Sequence, residues 1–126
     1  IQLWRDLLFK VKTSPYWETH YNFEVNSKTR VKKLSTSFVD LMIINVLVPF
    51  SFSYHKARGK EVVDDLFSIM SSLKSEENAR VKKFKQLKPE MVQNAWHSQS
   101  LLSLYQDYCK KQKCLNCQIG VSLLNK

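Results

Sequence analysis

Apolar residues recur at helical spacing through most of this chain. Ile1, Leu3, Trp4, Leu7, Leu8 and Val11 recur at spacings of one, three and four, the pattern of an amphipathic helix. Ser14-Pro15 ends it, because proline disfavours helical torsions in the residue before it. Tyr16, Trp17, Tyr21 and Phe23 then fall within eight residues that also hold His20, with no helical period. That stretch reads as an extended, aromatic-rich segment pinned by its rings against the core. A helix is expected from Ser35 or Ser37, carrying Phe38, Leu41, Met42, Asn45, Val46 and Val48. It is apolar on nearly every face and is the natural central buried helix. Pro49 predicts a kink or break, since a proline inside a helix costs about 3 kcal/mol. The helical stretch beyond it reaches Gly59, a candidate C-cap.

The second half repeats the same grammar. Val62, Val63, Leu66, Phe67, Met70 and Leu73 stripe a helix over 61–73, with Glu61, Asp64 and Asp65 in its first turns, where the helix dipole favours acids. Ser75 reads as an N-cap followed by Glu76 and Glu77, and Val81, Phe84 and Leu87 share one stripe up to Lys88-Pro89. Asn94 or Ser98 caps a last long helix with Leu101, Leu102, Leu104, Tyr105 and Tyr108 on its buried face. Helix, short loop, helix without strand alternation predicts an all-α fold, a compact multi-helix bundle. Composition supports this: two glycines and three prolines are too few for the turns of an all-β domain.

The length, 126 residues, fits a single domain spanning 1–126. The longest apolar stretch, Phe38 to Phe52, is broken by Asp40, Asn45 and Pro49 and falls short of the roughly 20 residues of a membrane span. With no signal peptide and an odd number of cysteines, the expectation is a cytoplasmic protein with no membrane contact. Ile1 is not a start methionine and opens directly on a helical pattern, so a piece of a longer protein is expected, with a larger N-terminal region as its partner.

Three cysteines, Cys109, Cys114 and Cys117, form a C-x4-C-x2-C run. Thiolates at that spacing can share a metal ion, and a tetrahedral zinc site needs a fourth ligand, for which His20, His55 and His97 are available. An iron–sulfur cluster is disfavoured by the lack of a fourth cysteine. The other reading is that the cysteines are small apolar side chains on helix faces.

The net charge is +9. Residues 1–60 hold ten basic and four acidic residues, and residues 61–126 hold ten and seven. The dense runs contribute Lys28, Arg30, Lys32 and Lys33, then Arg80 and Lys83, then Lys110 and Lys111. Runs converging on one face would attract phosphate and bind nucleic acid in a salt-dependent way; otherwise each is a solvated surface. No Gly-rich phosphate loop or sheet-stacking motif is present, and no catalytic pair stands out.

The blocks Tyr16-Trp17…His20-Tyr21…Phe23, Asp40-Leu41…Ile44-Asn45…Pro49-Phe50, Ser98-Gln99…Tyr108-Cys109 and Cys114…Cys117…Gly120 resemble the C-terminal part of an uncharacterised bacterial family, domain of unknown function 2851. The resemblance implies that an N-terminal region precedes this chain, and it carries no established activity. His20 and the three cysteines match the family pattern, whereas His55 and His97 depart from it, which makes His20 the preferred fourth metal ligand. Together these readings give a non-catalytic accessory module contacting nucleic acid. The alternative is a structural or protein-interaction domain that braces the N-terminal region or completes an enzyme site located there.

Overall fold

A computed structural model describes residues 1–124, with the backbone alone at Leu123. The all-α class holds: helices dominate, and the described strands are one pair of three and two residues. The chain forms two compact units, Ile1–Lys60 and Glu61–Lys126.

In the first unit, α1 (Gln2–Phe9) stops well before the proline. Pro15 instead opens α2 (Pro15–Glu18) as its first residue, where a missing N–H costs nothing. β1 (His20–Asn22) and β2 (Val25–Asn26) form an antiparallel hairpin. The expected extended segment is thus a helical turn followed by a hairpin. Its rings pack on one another while Tyr16, Tyr21 and Phe23 stay exposed, so they do not pin it into the core.

Ser35 caps the next helix, its hydroxyl accepting the Phe38 N–H at 3.2 Å. α3 (Thr36–Met42) runs through a π turn (Ile43–Leu47) into α4 (Val48–Ala57). Pro49 does not break it. In the π turn the Val48 N–H reaches five residues back to the Ile43 carbonyl, and the wider coil makes room for the proline ring where an α-helix would clash. The uninterrupted helix Thr36–Ala57 has 22 residues and a most apolar window of mean hydropathy 1.5, by length and composition enough to cross a membrane. That corrects the expectation that this stretch is too short. Nor is it the fully buried centre: Val39, Asp40, Ile43 and Ile44 are buried, while Val46, Phe50, Phe52 and Tyr54 face outward. Gly59, at φ +66°, ends α4. The Lys60 N–H reaches His55 and the Gly59 N–H reaches Lys56, both at 3.0 Å, a Schellman cap.

The tertiary tie of this unit is polar. Arg5 on α1 donates from Nε (3.1 Å) and a terminal nitrogen (2.7 Å) to Asp40 Oδ1 on α3. Both side chains are largely covered, Asp40 the more so.

In the second unit, α5 (Val63–Ser72) and α6 (Ala79–Leu87) both pack against α7 (Ala95–Leu104). Val81, Val92 and Leu101 form one core cluster, with Phe84, Leu102 and Leu104 around it, and Leu66, Met70, Leu73 and Ala95 are buried as well. Asn94 caps α7 as expected, accepting the His97 N–H at 3.0 Å. Asn78, not Ser75, caps α6, with Oδ1 accepting from Arg80 and Val81 at 3.1 and 2.9 Å. The reason is tertiary. Ser98, with no solvent exposure, accepts the Glu76 N–H at 3.2 Å and donates to the Ala95 carbonyl at 2.9 Å. That bond holds 73–77 as a loop against α7, and Ser98 is a buried bolt rather than a cap.

A π turn (Tyr105–Cys109) extends α7 into a 3-10 turn (Cys114–Asn116) and α8 (Gln118–Leu124). Here the Cys114 carbonyl approaches Gly120 so closely that a Cβ there would lie 2.2 Å from the oxygen.

Several apolar side chains stay in solvent, Leu3, Leu7, Phe9 and Val11 among them.

Two outcomes follow. Arg5→Ala leaves a buried carboxylate uncompensated and is expected to cost about 2–3 kcal/mol in urea melts. Replacing both partners, Arg5→Met with Asp40→Leu, is expected to restore most of that loss. Gly120→Ala must displace the Cys114 backbone, at a cost of about 1–3 kcal/mol. It is expected to remove hydrogen-exchange protection at the Cys117 and Val121 amides, which now bond to Cys114 and Cys117 carbonyls.

Candidate nucleic-acid interface and cysteine tail

The segment from Ser14 to Lys33 is built by short local bonds. His20 Nδ1 sits 2.8 Å from the Tyr16 carbonyl and 2.9 Å from Thr19 Oγ1, and its ring stacks on Tyr16 at 3.9 Å, nearly parallel. The hairpin turn places Glu24 at φ +63°, a region costly for any side chain. Its N–H is held there by the Tyr16 hydroxyl at 3.0 Å. Trp17 meets Tyr16 and Phe23 edge-on, each at 5.1 Å. Phe23 nevertheless stays 75% exposed and Tyr21 63%.

The basic run is fastened back onto the end of α2 and, through Lys32, onto β1. The Ser27 N–H donates to Thr19 at 2.7 Å, and the Arg30 N–H to Glu18 at 2.9 Å. Lys32 lies 3.6 Å over the Tyr21 ring and donates to the His20 carbonyl. Lys28, Arg30 and Lys33 are exposed and make no ion pair among the described residues. The four predicted cations of this run therefore share one segment with the exposed rings. That arrangement offers positive charge and flat apolar faces together.

In the second unit the predicted cations are more dispersed. Arg80 stacks on Tyr105 at 4.5 Å, Lys83 is exposed on α6, and Lys110 and Lys111 follow the π turn. Lys111 is engaged by Asp107 at 3.2 Å. Its hydrogen bond, with that of Ser103, holds the Asp107 carboxyl below its ordinary range. On α6, Lys85 likewise pairs with Glu77 at 3.0 Å and lowers that carboxyl.

The proposed metal ligands are distributed differently. His20 belongs to the first unit and the cysteines to the second. Cys109 and Cys114 are exposed and Cys117 is buried. Among the described residues no group of three or more His, Cys, Asp or Glu side chains is placed to hold a metal. The His20 ring is already engaged with Tyr16 and Thr19, and His97 Nδ1 accepts the Gln93 N–H at 3.3 Å. In the conformation described, the C-x2-C turn works through its backbone. The Cys114 carbonyl accepts the Cys117 N–H at 3.2 Å, and Gly120 lies against the same carbonyl.

Sequence reading of charge runs missed Tyr21 and Phe23 as members of the interface. Only part of a signal was present: Tyr21 and Val25 lie on the two short strands, whereas Phe23 and Glu24 are the turn between them, which no strand period marks.

A family profile described as a protein of unknown function (DUF2851) matches residues 4–79. The match spans the aromatic and basic segment and the long helix, and it stops before the cysteine tail. No curated protein and no solved structure matches this chain.

Because the Cys114 thiol is exposed, Cys114→Ser is expected to change stability by less than about 0.5 kcal/mol. The check is thermal unfolding of both proteins with and without a chelator, alongside elemental zinc analysis. A large loss in the variant, matched by chelation of the parent, would establish a metal clip instead.

Proposed function

The chain belongs to the DUF2851 family, and from its exposed cation-and-ring segment we propose that it is a non-catalytic accessory module of a larger protein that contacts nucleic acid. The observation that carries this reading is that exposed Lys28, Arg30 and Lys33 lie on the segment whose Ser27 and Arg30 amides bond to Thr19 and Glu18, directly before the hairpin with exposed Tyr21 and Phe23. Unpaired cations on a solvated loop repel one another and gain nothing within the fold. Phosphates would replace that repulsion with attraction and release condensed counterions. Glu24 at the turn opposes this locally, as the acid nearest Phe23 in sequence.

The exposed apolar side chains of α1 favour a second reading, in which the module also docks on protein. Leu3 and Leu7 are 70% and 56% exposed, on the helix whose other face supplies Arg5. The two readings separate experimentally, because apolar docking is insensitive to salt and phosphate contact is not.

Fluorescence-anisotropy titrations with labelled oligonucleotides over a salt series test the proposal. Three phosphate contacts to a single strand give a slope of log affinity on log salt of about −2 from this segment. Lys28→Ala, Arg30→Ala and Lys33→Ala together are expected to flatten the slope by that amount. A slope identical in the triple variant, or no binding at low salt, would refute the reading.

A further inference from the structure

We infer that the nucleic acid taken by the segment 16–33 is single-stranded, with an unpaired base stacking on Phe23. This rests on the proposal above and adds the class of ligand to it. The cations by themselves would serve any polyphosphate chain. The rings would not. In a duplex the bases stack on each other and offer only edges and backbone, so a duplex leaves the faces of Phe23 and Tyr21 in water. A single strand presents free base faces, and stacking on an aromatic side chain is tolerant of sequence.

The structure supplies what such a platform requires. Phe23 is itself the first residue of the two-residue hairpin turn, and its ring rests against Trp17 at 5.1 Å and Tyr16 at 6.3 Å. Three-quarters of it remains open to solvent. Tyr21, two residues earlier on β1, carries Lys32 over its ring at 3.6 Å. Lys28, Arg30 and Lys33 follow on the strand-exit segment, tied through the Ser27 and Arg30 amides to Thr19 and Glu18 at the end of α2. Rings for the bases and cations for the backbone thus stand on one short stretch. The hairpin, with strands of three and two residues, is too short to read base edges along a duplex groove.

The experiment compares labelled oligothymidine, oligouridine and a duplex as ligands for the parent, Phe23→Leu, Phe23→Tyr and the triple charge variant. Phe23→Leu keeps an apolar side chain but removes the π face. It is expected to weaken single-strand binding roughly tenfold and to leave duplex binding unchanged. Phe23→Tyr is expected to bind as the parent does, which also guards against misfolding of the hairpin. The oligothymidine and oligouridine arms distinguish DNA from RNA as the source of the strand. If Phe23→Leu binds single strands like the parent while the charge variant is weakened, the stacking inference fails and the nucleic-acid proposal survives. If duplex competes as well as single strand, the inference fails in the same way. If no oligonucleotide binds the parent, both fall.

Discussion

Arg5 and Asp40 hold the first unit together because so little else there is sealed from water. Its buried residues among those described are Val39, Asp40, Ile43 and Ile44, all within a turn and a half of one helix. Burial of three aliphatic side chains supplies roughly 5–9 kcal/mol of hydrophobic stabilisation. A charge placed among them must be paired, or its desolvation would cancel that gain. The guanidinium meets the carboxylate oxygen through two N–H groups, a geometry that a lysine could not reproduce. The same bond positions α1, whose opposite apolar face is left in solvent. The second unit is organised differently, around Val81, Val92 and Leu101, and its buried polar group is a neutral hydroxyl with both capacities used.

The parts of this fold that sequence made legible are those governed by local rules. Ser35, Asn94 and Gly59 sit at helix ends because their side chains, or the lack of one, suit the backbone there. Stripe positions such as Leu66, Met70, Val81 and Leu101 are buried as their spacing requires. The departures come from bonds between distant residues. Ser75 has the right neighbours for a cap, yet Ser98, 22 residues away from Glu76, takes the amide that decides the matter. Asp40 reads as an interruption in an apolar helix, while its partner lies 35 residues upstream. No period or propensity encodes either pairing.

The candidate interface was half visible for a related reason. Charge runs announce themselves in one dimension, so Lys28, Arg30, Lys32 and Lys33 were apparent. Whether neighbouring rings point inward or outward depends on what packs against them, and here they pack against each other. A cluster closed on itself in this way, with Tyr16 as its hub, leaves the rims of its outer members in water. The cysteine run shows the converse. Its spacing suggests chemistry, whereas the arrangement described uses its carbonyls and leaves two of its thiols at the surface.

Both units carry a π turn, at Ile43–Leu47 and Tyr105–Cys109. Such a turn is a regular helix holding one surplus residue, and the surplus rotates everything downstream by about 100° relative to an uninterrupted coil. The outward aim of Phe50 and Tyr54 is therefore set by a count of residues rather than by their own chemistry. Deleting one position between 43 and 47 would turn that aromatic side round the axis and thrust Pro49 against the preceding carbonyl. These are places where the length of the chain, and not its lettering, decides which surface the molecule presents.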